Sequence, residues 1–157
     1  MSHLYLTLKL IHVIGAAVLF GTGLGIAFFM FMAHRTRDPA AIAHTARTVV
    51  IADAIFTATA VVLQPLTGWG LMLITGFSLF HFWIKATLVL YVVIGLCWLP
   101  VVWIQLKMRD LAAAAARDGT ALPERYFAYY RVWFWLGWPA FTGVIVIFIL
   151  MLWKPQW

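Results

Sequence analysis

Charge is scarce in this chain, and acidic charge scarcer still. Its 157 residues include 11 Lys and Arg and five Asp and Glu, so that charged residues make up 10% against 65% hydrophobic. That ratio excludes a soluble domain with an ordinary surface. Cysteine occurs once, at Cys97, so no internal disulfide can form and the redox compartment goes unmarked. There is no HxxxH pair and no cluster of carboxylates with histidine, which argues against a zinc or copper centre built from side chains alone. The net charge of +6 does not point to nucleic acid, because the basic residues stand at the ends of apolar runs, where anionic lipid and topology account for them.

What is present in quantity is apolar sequence long enough to cross a bilayer. Four runs, at about 4–33, 48–75, 80–107 and 126–153, each match or exceed the roughly 20 residues that a transmembrane helix needs. They predict an all-α integral membrane four-helix bundle occupying 1–157, with no room for a separate soluble domain. The first run is about twice the length of a signal h-region and lacks a small-x-small cleavage site, so it is expected to remain as a span. Arg35, Arg37, Arg47, Lys107, Arg109, Arg117, Arg125 and Arg131 flank the two longer connections, while Lys9, Lys85 and Lys154 lie toward the other side. The positive-inside rule then puts both longer connections in the cytoplasm and both the N-terminus and the C-terminus outside.

Local signals delimit the helices. Asp38-Pro39 reads as an N-cap and first helical position, Gly76 and Gly119 as helix ends, Ser78 as the cap of the third helix and Pro123-Glu124 as the start of the fourth. Pro65 is expected to kink span two and to free a carbonyl at Ala60 or Val61, for which Gln64 is a candidate partner. Tyr126, Tyr129, Tyr130, Trp153 and Trp157 suit interfacial belts, and Trp133, Trp135 and Trp138 suit packing inside the bundle.

Ionisable residues within the apolar runs are the functional candidates, because each is costly in hydrocarbon. Lys9 and His12 share a face of span one, with Ala16, Gly23 and Ala27 making that face small and therefore bundle-facing. Gly21, Gly23 and Gly25 thin the same helix, for close packing or for a flat ligand. Asp53, Thr57, Ala60, Gln64 and Thr67 form a polar and small stripe along span two. Asp53 reads as an ion-pair partner of Arg131 or Arg47, or as a proton relay, and Gln64 as a ligand contact or a structural group. His81 and Lys85 open span three at the end of the bundle where His12 lies. His34 and His44 read as interfacial.

Two histidines and two lysines at one end of a bundle suit haem b, with His12 and His81 as metal ligands and Lys9 and Lys85 neutralising propionates. A satisfied buried histidine, or another metal, fits the same spacing. The corresponding functions are electron transfer, or oxidation of a small or lipid-soluble substrate of the quinol or porphyrinogen type, with Asp53 and Gln64 as catalytic proton-handling candidates. Rival functions are a metal or small-molecule carrier, and a non-catalytic accessory subunit of a membrane complex. The small face of span one is also compatible with a homo-oligomer.

Three stretches, Lys9-Leu10-Ile11-His12-Val13-Ile14-Gly15, Asp53 to Gly68, and Leu136-Gly137-Trp138-Pro139-Ala140-Phe141, resemble a bacterial family known as "predicted integral membrane protein". The resemblance covers essentially the whole chain and implies a multi-pass protein of the bacterial inner (cytoplasmic) membrane. More distantly, the lysine and histidine of span one and the lysine of span three are similar to the four-helix protoporphyrinogen oxidases and to copper-resistance D-type membrane domains. The former resemblance implies haem b on His12. The pattern departs after Lys85, where Leu90-Tyr91-Val92 stands without the family's Tyr-His pair, so haem binding is the safer carry-over and porphyrinogen oxidation the weaker one.

Overall fold

The computed structural model describes residues 3–155; Trp157, expected in an aromatic belt, lies outside them. Four helices are long and apolar enough to span a membrane: α1 (His3–Thr36), α2 (Pro39–Thr75), α3 (Phe82–Asp118) and α4 (Glu124–Trp153). Each extends past the apolar run that announces it, because nothing in the flanking basic segments breaks a helix.

The connections follow side-chain chemistry. Asp38 accepts a hydrogen bond from the Ala40 amide at 2.9 Å, satisfying a donor that the first turn of α2 leaves free, and Pro39 needs no such partner. Gly76 (φ 72°) and Gly119 (φ 63°) end α2 and α3 in the left-handed region. The cap of α3 is His81 rather than Ser78: the His81 backbone is extended, and Ser78 instead accepts from the Phe80 amide at 3.2 Å.

The break in α2 falls elsewhere than the sequence suggests. Pro65 lies within the α-helical stretch Ala58–Thr75, whereas a π-turn at Asp53–Thr57 separates that stretch from Pro39–Ala52. Proline has no amide hydrogen for the carbonyl four residues earlier, and the Tyr91 hydroxyl of α3 donates to that carbonyl, Val61. The freed acceptor is thus met from a neighbouring helix, not by Gln64.

Neighbour relations set what can meet. The α3–α4 interface is the most extensive; α1 packs along α2, touches α4 briefly, and does not pack along α3. The Pro39–Ala52 part of α2 packs on both α1 and α3, while its Ala58–Thr75 part packs along α1 and meets α3 chiefly through the Tyr91–Val61 hydrogen bond. The bundle is therefore packed most tightly at the end carrying the two interhelical connections near Asp38 and Gly119, and more loosely toward the termini, where Tyr91 on Val61 and Phe20 on Phe141 and Phe148 still join the helices.

The core has the same polarity. Ile26, Met30 and Ala33 of α1, Ile42, Ala46 and Val49 of α2, Ile104, Met108 and Ala112 of α3, and Tyr126, Tyr130 and Trp133 of α4 form one buried cluster at the closed end. The buried face of α1 thus combines Gly15 and Ala33 with the large Ile26 and Met30, and is not the small stripe through Gly23 and Ala27. Ala27 is exposed, and a Cβ added at Gly21 or Gly23 would meet nothing within 4 Å, so these glycines are not sites of close helix approach within the chain. Trp133 is buried as expected, whereas Trp135 and Trp138 face outward.

Candidate functional site

His12 lies half-buried on α1 where α1 meets α2, and its surroundings decide its chemistry. Its Nδ1 is 2.8 Å from the Thr67 hydroxyl oxygen. That hydroxyl spends its own hydrogen on the Leu63 carbonyl, 2.7 Å away, one turn back along α2. With the hydroxyl hydrogen assigned to that carbonyl, the oxygen accepts from His12 and the imidazole proton is assigned to Nδ1. Nε2 is left with its lone pair, the form in which a neutral histidine binds a metal, and the Nδ1 hydrogen bond fixes the ring orientation as outer partners of metal-binding histidines do.

The backbone beneath the ring is fixed as well. Gln64 donates from Nε2 to the His12 carbonyl at 2.9 Å, so its amide ties the two helices together. Gly15 permits this approach: a Cβ there would stand 2.6 Å from Gln64 Nε2, whereas a Cβ at Gly68 would come only into contact with the ring, 3.4 Å from His12 Cε1. The Gly15→Ala variant is therefore expected to push Gln64 off the His12 carbonyl and to lower the thermal stability of the α1–α2 pair, measurable as an earlier melting transition. Gly23→Ala, in open space, should leave that transition in place.

The second expected ligand is not brought to this point. His81 caps α3, and its Nδ1 lies 2.8 Å from the Ser78 carbonyl and 3.1 Å from the Ser78 amide, within its own connection. Since α1 does not pack along α3, His12 and His81 are not brought against one another. Lys9 and Lys85 are exposed, their ammonium groups 5.6 Å and 5.5 Å from the Tyr5 and Phe80 ring centres. They do not converge with the histidines into one cluster. Among the described residues no three His, Cys, Asp or Glu side chains are grouped so as to hold a metal ion.

Asp53 lies deep in the bundle, 5% exposed, at the start of the π-turn. Trp98 Nε1 donates to its Oδ1 at 3.3 Å, and among the described residues Oδ2 has no partner within hydrogen-bond geometry, the Thr57 side chain being its polar neighbour. The ion pair with Arg131 or Arg47 does not form: both arginines are exposed, and among the described residues the ion pair is Arg109–Asp110. The reason is topological for Arg131, since α4 packs on α3 and not along α2. For Arg47, six residues from Asp53, the helical period turns the side chain to another face. π-turns recur at functional sites, and here one coincides with a buried carboxyl.

His34 was missed by position. Its place in a basic connection suggests a wet interface, yet its ring stacks on Tyr130 at 3.5 Å and 5°, and its Nδ1 lies 3.4 Å from the Tyr126 hydroxyl. Tyr126 and Tyr130 stand one turn apart on α4, and that i, i+4 aromatic pair was the available signal. His44 is exposed, as an interfacial residue should be.

Comparison with known families agrees with this architecture. A family model described as predicted integral membrane protein (DUF2269) matches residues 6–155. The chain belongs to that family. Neither a curated protein nor a solved structure matches it. Membership in the DUF2269 family accounts for the spans and carries no activity with it, so the reading of His12 rests on the chemistry around its ring.

Proposed function

We propose that this protein binds haem b through His12 and serves in electron transfer, or in the oxidation of a lipid-soluble substrate of the quinol or porphyrinogen type, in the bacterial inner membrane. The observation that carries this reading is the Thr67 hydrogen bond, which leaves His12 Nε2 free and the ring oriented. A bare divalent ion needs three or four protein ligands, and no such group of side chains exists among the described residues. A porphyrin brings four nitrogens of its own, so a single imidazole suffices as its protein ligand.

Haem would supply one-electron exchange with the partner or substrate. The chain's own part is to hold Nε2 in place through Thr67, to fix the α1 backbone through Gln64, and to set Lys9, one turn from His12, toward a propionate. Asp53, whose Oδ2 is without a partner, is the group we assign to holding a proton during turnover. The distribution of arginine favours both termini outside the cytoplasm, which places His12 roughly two turns below the outer surface.

Elemental analysis of the protein purified in detergent tests this reading. Iron in constant ratio to protein, accompanied by porphyrin absorbance, is the expected result. Copper or zinc without porphyrin would favour a metal carrier instead.

A further inference from the structure

The closed, basic end of the bundle carries a feature that the reading of His12 does not use. Along the seam between α3 and α4 lies a cleft of about 250 Å³ lined by Lys107, Asp110, Leu111, Arg125 and Tyr129. Its position is set by aromatic residues that belong at a membrane interface. Trp103, one turn from Lys107 and half-exposed, meets Tyr129 edge to face at 5.6 Å. Tyr129 and Leu111 form the apolar side of the cleft, with Trp103 behind Tyr129, and the cations form its other side.

The charges are arranged in a way that leaves the cleft positive. Asp110 is the one acid in the lining, and its Oδ1 is taken by Arg109, with Nη2 at 2.8 Å and Nε at 2.9 Å. Lys107 and Arg125 have no carboxylate partner among the described residues. Lys107 Nζ rests 5.6 Å from the Trp103 ring centre. The Arg125 guanidinium lies 5.5 Å from the Tyr129 ring centre, and its Nε donates to the Tyr129 hydroxyl at 3.2 Å. Each cation is therefore oriented by an aromatic neighbour while its remaining donors stay free. Arg35 and Arg37, by contrast, rest on Phe31 and Phe127 and do not line this cleft.

We propose that this cleft binds the phosphodiester headgroup of an anionic phospholipid. Two cations converging on a concave site between transmembrane helices, at headgroup level and above an aromatic belt, match the chemistry of a phosphate held by lysine and arginine. The Asp110 carboxylate in the same wall disfavours a phosphate dianion and leaves the singly charged diester as the better ligand. The acyl chains would run down the outside of the α3–α4 seam past Trp103, and no such extension is open to free phosphate. The proposal does not depend on haem.

The test is native mass spectrometry of the full chain in detergent, titrated with phosphatidylglycerol or with phosphatidylcholine. The unmodified protein should retain one phosphatidylglycerol in preference to phosphatidylcholine, and millimolar inorganic phosphate should not displace it. The double variant Lys107→Gln/Arg125→Gln should lose affinity by about 30-fold, each cation near a membrane surface contributing of the order of a few-fold to tenfold. Lys107→Arg/Arg125→Lys should keep most of it, which guards against a folding defect. Arg35→Gln/Arg47→Gln removes the same charge from the same end and should bind as the parent does. Equal loss in that control would show that general charge, not the cleft, attracts the lipid, and displacement by inorganic phosphate would show an anion site without lipid specificity; either overturns the proposal.

Discussion

Replacing His12 by alanine is expected to abolish the Soret band of the purified protein while leaving its helical circular dichroism intact. The argument runs through Thr67. With its hydroxyl hydrogen assigned to the Leu63 carbonyl, Thr67 accepts from His12 Nδ1, and the imidazole keeps the Nε2 lone pair for a ligand. His81 offers no substitute, since its ring lies against the Ser78 backbone in another part of the bundle. His81→Ala should therefore retain the band, as should His34→Ala, whose ring is stacked on Tyr130 at the opposite end. Thr67→Val separates ligation from orientation. It keeps the ligand but removes the acceptor, and loss of such an outer partner lowers affinity by about 10- to 100-fold, so haem should be retained at high haem concentration and lost on dilution.

Trp133→Ala should cost about 3–5 kcal/mol of stability, the range for removing a large aromatic from a packed core. Trp133 is 6% exposed and belongs to the cluster that unites all four helices at the closed end. Trp135, two residues on and 69% exposed, makes no comparable contribution, and Trp135→Ala should change stability by less than about 0.5 kcal/mol. Equilibrium unfolding in detergent measures both. Near-equal effects would mean that the closed end is not where the bundle is held together. A core concentrated at one end is also what permits looser packing at the other, since helices anchored together near Asp38 and Gly119 need not pack along their whole length.

The spans were legible because apolar length is a one-dimensional signal. Asp38, Gly119 and Pro123 were legible because capping chemistry is local. The candidate ligand was legible for a different reason: an imidazole in hydrocarbon is conspicuous wherever it points. Its partner was half legible, as Thr67 stands in the polar stripe that begins at Asp53, but nothing in one helix says which residue of another lies opposite. The same limit explains His81. Both histidines lie at one end of the bundle, and only the diagonal relation of α1 and α3 separates them. Small residues misled for a related reason. They mark where helices can approach, not where they do, and α1 buries Ile26 and Met30 while Ala27 stays outside. His34 shows that a residue's place in a basic segment does not fix its environment when two tyrosines one turn apart offer a face to stack on.

The measurement that bears most directly on this account is the absorption spectrum of the full chain, purified in detergent from haem-replete cells, before and after reduction with dithionite. A Soret band that shifts on reduction, in constant proportion to protein, is the predicted result. A folded, helical protein from the same cells that shows only aromatic absorbance, and takes up no haem when haem is added, would contradict it.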